Sequence, residues 1–376
     1  MKVPCVDQLR ARRTKKWMAF EDDVLPFWIA ESDFSTCPEV KDAIRQAVED
    51  ESFGYPPPPV DLQPAVADFY QRHYGWRPNP EWIAAIPDVV RGLFLGIEYF
   101  TRPGSGVVVP VPTYPPFLML PKATKRETHL ISAEGGIDPK AVEAEFTRGA
   151  GALLLCSPFN PLGFMLERET LVELAEIADR YDARILVDEI HAPLTYDRPH
   201  LCAASVSDTA AKVCITVTAT SKAWNIAGLK CAQLIFSNEA DVQRWEELPL
   251  LIREGVSTIG QIAATACYTE GDEFLKQQIP QLRSLRDYIC EELPKAVPGL
   301  KVNKPEATYL AWLDFQDTPL AEDPARLLLE HGRIALNDGR DFGEPGVSHA
   351  RFNFATSREI LDEACERMAR AYRHLA

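Results

Sequence analysis

Apolar residues in the middle of the chain come in short unbroken runs separated by stretches of helical period. Val107-Val108-Val109, Ala152-Leu153-Leu154-Leu155-Cys156, Arg184-Ile185-Leu186-Val187-Asp188 and Val213-Cys214-Ile215-Thr216-Val217 are continuous rather than alternating. A strand with one face in water alternates, so these runs predict strands buried on both faces. Between them, Glu167 to Tyr181 puts Leu171, Leu174, Ile177 and Ala178 on one helical face with charges opposite. Strand, helix, strand, helix predicts an α/β fold with a doubly wound, mostly parallel sheet. From about Asn238 the pattern changes to long charged helical segments. Ala307 to Asp314 then reads as a strand of a smaller α+β unit, and Arg358 to Leu375 as a terminal helix. The expected division is a large domain over residues 45–270 and a small one built from 1–44 with 271–376. Pro56-Pro57-Pro58-Pro59 is too short for a linker and reads as a stiff extended corner.

Composition narrows the function classes. The formal net charge of −15 over 376 residues repels a phosphate backbone. Nucleic acid is therefore not an expected partner. No apolar stretch approaches the roughly 18 residues of a membrane span. The start, Met1-Lys2-Val3-Pro4-Cys5, has no apolar signal core, so neither a membrane nor export is expected. Nine cysteines without a C-x-x-C pair, several inside apolar runs, predict reduced thiols and a cytoplasmic location. No His/Cys spacing supports a metal site.

In an open parallel sheet, ligands gather outside the carboxyl ends of the strands. Three of the predicted ends carry unusual chemistry. Cys156 leads into Ser157-Pro158-Phe159-Asn160-Pro161-Leu162-Gly163, Val187 into Asp188-Glu189-Ile190-His191, and Val217 into Thr218-Ala219-Thr220-Ser221-Lys222. Singly, these are a turn, a helix cap and a solvated charge. Together they bring an amide, a carboxylate and an amine to one crevice, which is what pyridoxal phosphate requires. A lysine bonds to the coenzyme, a carboxylate keeps its pyridine nitrogen protonated so the ring accepts electrons, and an amide donates to the ring oxygen.

Asn160-Pro161-x-Gly163, Asp188-Glu189-Ile190-His191 and Ser221-Lys222-x-x-Asn225-x-Ala227-Gly228-Leu229 resemble the fold-type I pyridoxal-phosphate enzymes of the class I/II aminotransferase superfamily. The resemblance is narrower still to the cystathionine β-lyase (C–S lyase) branch. It covers nearly the whole chain and includes Pro26-Phe27-Trp28-Ile29-Ala30-Glu31-Ser32-Asp33-Phe34, Phe53-Gly54-Tyr55, Pro112 to Phe117 and Thr308 to Trp312. It implies Lys222 as the Schiff-base lysine and the base for the substrate Cα proton. Asp188 is implied for the pyridinium nitrogen, Asn160 and His191 for the ring oxygen side, and Tyr114 for stacking on the ring or assisting the leaving group. Backbone amides of Val89 and Val90, with Thr220, Ser221 and Lys230, would hold the phosphate. Arg351 would grip the substrate carboxylate, and Ala30 and Glu31 would face the substrate. Tyr55 would reach the phosphate of a neighbouring subunit, implying a homodimer with shared active sites.

The chain departs from the family pattern in places. Lys230 stands where many relatives have arginine, and Glu31 replaces the usual aspartate. His191 takes a position that aminotransferases commonly give to tyrosine, and the loop Tyr196 to His200 looks shorter than in relatives. The expected activity is α,β-elimination from L-cystathionine or related S-substituted L-cysteines, giving thiol, pyruvate and ammonia. Amino transfer on the same fold, or a regulatory role that retains the cofactor fold, are the alternatives.

Overall fold

The computed structural model describes residues 1–376. Its central sheet has seven strands: β1 Ile83–Ile86, β2 Gly106–Val111, β3 Thr128–Ser132, β4 Ala150–Cys156, β5 Arg184–Asp188, β6 Cys214–Thr218 and β7 Ala232–Ile235. They lie in the order β1-β7-β6-β5-β4-β2-β3. Neighbours among β2 to β6 are parallel, while β7 runs antiparallel to both β6 and β1. The doubly wound, mostly parallel sheet read from the sequence is the fold. Every residue of β2 and β4 is buried, as their unbroken apolar runs require.

Register levels the strand ends that matter. Cys156, the last residue of β4, lies opposite Asp188. Asp188, the last of β5, lies opposite Val217 near the end of β6. The three following loops therefore rise side by side from one edge of the sheet. The helix Arg168–Arg180 covers one face, burying Leu171, Leu174, Ala175, Ile177 and Ala178. It is one residue shorter at each end than its periodicity suggests, because Glu167 is already extended and Tyr181 has left helical geometry.

The C-terminal part forms a second, antiparallel sheet of β8 Lys301–Asn303, β9 Leu310–Asp314, β10 Asn337–Asp338 and β11 His349–Asn353, in the order β10-β11-β9-β8. The helices Asp272–Ala296 and Arg358–Leu375 flank it, the latter with the bounds its pattern predicts. The strand expected from Ala307 starts only at Leu310. Thr308 takes a left-handed φ of 71°, and its hydroxyl accepts from the Leu310 amide at 3.1 Å, so the chain turns there.

The N-terminal segment ties the two sheets together. Leu25–Pro26 pairs in parallel with Ile334–Ala335, and Phe27 stacks on Phe352 at 4.5 Å. Residues 28–33 then cross as a strap toward the loop after β6. That strap is clamped by a fully buried ion pair, Lys16 Nζ to Asp33 Oδ2 at 2.8 Å. Trp17 Nε1 donates to the other oxygen of the same carboxylate at 2.8 Å.

The helix Thr258–Glu270 passes the lysine-bearing loop at very short range. A Cβ added at Gly260 would sit 2.0 Å from the Leu229 carbonyl oxygen, a backbone atom that cannot swing away. Alanine gains about 1 kcal/mol of helix propensity over glycine. Overpacking against fixed atoms costs about 1–3 kcal/mol or more. Gly260→Ala is therefore expected to lose about 1–2 kcal/mol net in urea unfolding; unchanged or raised stability would show that the helix can retreat.

Candidate active site

The three level strand ends and the second sheet enclose a cavity of about 630 Å³. Asn160, Asp188, His191 and Lys222 line it from the large sheet, Tyr114 from the loop after β2, and Arg351 from β11. Asn160 and Arg351 are 191 residues apart in sequence yet touch at 3.1 Å.

Burial sets the electrostatics. The Lys222 ammonium donates to the Ala30 carbonyl at 2.9 Å, and the Tyr309 hydroxyl donates to the same oxygen at 3.1 Å. Desolvation first, then the nearby Arg351 charge, pulls the Lys222 pKa down to about 8, with Asp188 and Glu31 opposing. The Asp188 carboxyl is pushed up to about 7 by its burial, against the Ile190 amide bond at 3.0 Å and the charge of Lys222. Burial holds His191 neutral, well below the usual imidazole range, and its Nδ1 has no partner.

Arg351 is the most unusual charge. It is 2% exposed. Its guanidinium donates to Asn160 Oδ1 at 3.1 Å, Asn337 Oδ1 at 2.9 Å and the Trp28 carbonyl at 3.0 Å. Nε has no partner, and the Phe342 ring lies 4.9 Å below. All the acceptors are neutral, so burial pulls its pKa down to about 10. Tyr114, at the N-cap of the helix Pro115–Ala123, has its phenol raised by burial, with Arg351 opposing.

The far end of the cavity meets the helix Val89–Phe100. Asp88 caps it: Oδ1 accepts from the Arg91 amide at 2.9 Å, and Oδ2 pairs with Lys230 Nζ at 2.9 Å. Val89 and Val90, the first helical residues, line the cavity. Their N–H groups have no intrahelical partner and favour an anion. Ser221 and Lys230 line the same end.

Other expected residues lie elsewhere. Thr220 is 1% exposed and turned inward toward Cys267, while Ala219 and Ser221 on either side face the cavity. Ala30 lines the cavity, but the Glu31 side chain does not. Glu31 contributes its charge near Lys222 and its carbonyl to Asn353 Nδ2 at 2.7 Å. Tyr55 is fully exposed and borders a separate groove along Pro56 to Pro59. Within a single chain it does not reach the cavity.

Several residues of the site had no role assigned to them from the sequence. Asn337 and Trp28 hold the Arg351 guanidinium, and only the pairing of Asn337 with Arg351 across the second sheet reveals the former. Asn225 exchanges two hydrogen bonds with the strap, accepting from the Ser32 amide at 2.8 Å and donating to its carbonyl at 2.7 Å. It does so from a left-handed φ of 57°, a conformation asparagine tolerates better than most residues. It stood in the lysine motif, but its partner was not visible there.

The donor set fits pyridoxal phosphate on the structure's own terms. A lysine of lowered pKa, a buried carboxyl able to take a cationic partner, an amide on one wall and open helix amides at the far end match the coenzyme's aldehyde, ring nitrogen, ring oxygen and phosphate. Fold and cavity define a fold-type I enzyme that depends on pyridoxal phosphate. Residues 22–368 match the family of class I and II aminotransferases, and the chain belongs to it. It is 54% identical to a cystathionine β-lyase of Corynebacterium glutamicum, covering 98% of this chain and 99% of that one. A Corynebacterium diphtheriae structure assigned to the PLP-dependent β-cystathionases superposes with a TM-score of 0.98 at 53% identity, covering 100% of both chains. Cystalysin of Treponema denticola, which contains pyridoxal 5′-phosphate, superposes with a TM-score of 0.88 at 26% identity, over 98% of this chain and 95% of that one.

Removing the Asn225 side chain leaves two backbone groups of the buried Ser32 without partners. Asn225→Ala should cost about 2 kcal/mol in chemical denaturation, with an added penalty for its left-handed backbone. A loss below the error of the measurement would mean the strap is held without it.

Proposed function

We propose that the protein is a carbon–sulfur β-lyase that cleaves L-cystathionine or related S-substituted L-cysteines to a thiol, pyruvate and ammonia. The observation that carries the amino-acid part is Arg351: a buried guanidinium whose hydrogen-bond acceptors are all neutral oxygens, in the same cavity as Lys222. A planar cation without a counter-ion suits a substrate α-carboxylate, which it takes bidentately. The kinship with the Corynebacterium glutamicum lyase supports elimination as the outcome.

The coenzyme, when bound, supplies an electron sink for the charge left at Cα. The chain's own residues do the rest. Lys222 would hold the coenzyme covalently, and its amine, when free, would take the substrate Cα proton. Its lowered pKa, about 8 in the cofactor-free chain, suits an amine that must act as a base. Asp188 would pair with the ring nitrogen, a cationic partner for its buried carboxyl. Because Asn160 Oδ1 is held by Arg351, its amide nitrogen is left for the ring oxygen. His191 stands beside it as a neutral donor or acceptor. Tyr114 would stack on the ring, and Val89, Val90, Ser221 and Lys230 would hold the phosphate. The Cβ–S bond then breaks with its electron pair on sulfur, and the released enamine hydrolyses to pyruvate and ammonia.

In this reading the enzyme works as a homodimer. Tyr55 and Phe53, with Leu250 and Leu251 across the neighbouring groove, are exposed apolar side chains that a second copy would cover, carrying Tyr55 to the partner's phosphate. A cytoplasmic site of action accords with nine free cysteines.

Purified protein should be yellow and should release thiol and pyruvate from L-cystathionine without an added oxo acid. Lys222→Ala should lose the visible band and at least about 10²- to 10⁴-fold in turnover, the usual worth of a positioned base. Amino transfer to an added oxo acid, with no pyruvate formed from cystathionine, would make the protein an aminotransferase instead.

A further inference from the structure

The charges lining the cavity do not all have work in the reaction above. Lys222 and Arg351 serve the coenzyme and the α-carboxylate, and Lys230 is paired with Asp88 at 2.9 Å. Asp188 faces the ring nitrogen. One further cation lines the same cavity: Lys15. It is exposed, and no carboxylate lies within ion-pairing distance, whereas its neighbour Lys16 is locked on Asp33 at 2.8 Å.

Lys15 is nevertheless placed. Its ammonium lies 5.5 Å from the centroid of the Trp28 ring, within cation–π range. That ring is fixed from two sides, by an edge-on contact with Phe20 at 5.8 Å and by its own Nε1 donating to the Lys16 carbonyl at 3.4 Å. The backbone carbonyl of Trp28 accepts from Arg351 at 3.0 Å. One residue therefore carries both cations, the buried guanidinium on its main chain and the exposed ammonium on its ring. Lys15, Trp28 and Arg351 thus line one cavity, the buried cation and the exposed one joined through a single residue.

We propose that Lys15 is a specificity-determining residue that binds a carboxylate at the distal end of the sulfur substituent, so that the enzyme prefers S-substituted cysteines with an anionic tail. The assignment rests on the C–S lyase reading. In L-cystathionine the group recognised is the second α-carboxylate.

The test uses the holoenzyme with two substrates that differ only at the tail. S-(3-carboxypropyl)-L-cysteine is cystathionine without its distal ammonium, and its terminal amide is the neutral counterpart. Release of pyruvate from the amide reports the lyase chemistry independently of Lys15. For wild type, the ratio of kcat/KM for acid over amide should exceed one, carried by KM, and should shrink as salt is raised, because an exposed pair is screened. Lys15→Gln should lower that ratio about fivefold, Lys15→Arg should keep most of it, and Lys15→Glu should invert it. A ratio that Lys15→Gln leaves unchanged overturns the assignment while the lyase reading stands. Pyruvate from neither substrate overturns both.

Discussion

Two cations, Lys222 and Arg351, share one cavity, and every oxygen that accepts a hydrogen bond from them is neutral. Burying a charge without a partner costs several kcal/mol even after the surroundings relax. The fold meets that cost with dipoles: the carbonyls of Ala30 and Trp28 and the side-chain oxygens of Asn160 and Asn337 all point at the two cations. The result is a site short of negative charge, and the anions that complete it are those of the coenzyme and of an amino acid.

Much of the architecture keeps those dipoles in place. Ala30 and Trp28 belong to the strap between the sheets, so the strap's position decides whether Lys222 and Arg351 are solvated by protein. The buried Lys16–Asp33 pair and the Asn225–Ser32 exchange fix that strap at one end. Asn353 fixes it at the other, donating to the carbonyls of Ile29 and Glu31 at 2.7 Å each. An isolated buried ion pair is weak evidence for stability. Here its position matters more: it sits directly behind the two residues whose carbonyls face the site.

The parallel sheet and the residues at its strand ends were legible in the sequence, because continuous apolar runs and the loops that follow them are local features. Asn160, Asp188 and Lys222 could be named from such runs alone. What local pattern could not show was which neutral oxygens surround the charges. Asn337 reaches Arg351 only through the pairing of β10 with β11, and Thr220 differs from Ser221 only in the direction a loop turns. Lys15 had no signal of any kind, since an exposed lysine in a short helix is ordinary until a distant tryptophan places it. The break at Thr308 likewise came from a backbone torsion that no hydrophobic pattern encodes.

The claim that burial leaves the site in need of charge can be read on Asp188 itself. A carboxyl raised to about 7 holds its proton in the folded, cofactor-free chain while the unfolded chain has already released it. Its contribution therefore makes that chain less stable as pH rises from the ordinary carboxyl range toward 7, and constant above it. Carbon-13 titration of the Asp188 carboxyl, with and without pyridoxal phosphate, measures this directly. The account predicts a midpoint near 7 in the cofactor-free protein and an ionised carboxylate at that pH and well below it in the loaded enzyme. An ordinary carboxyl midpoint in the cofactor-free protein, unmoved by loading, would contradict it.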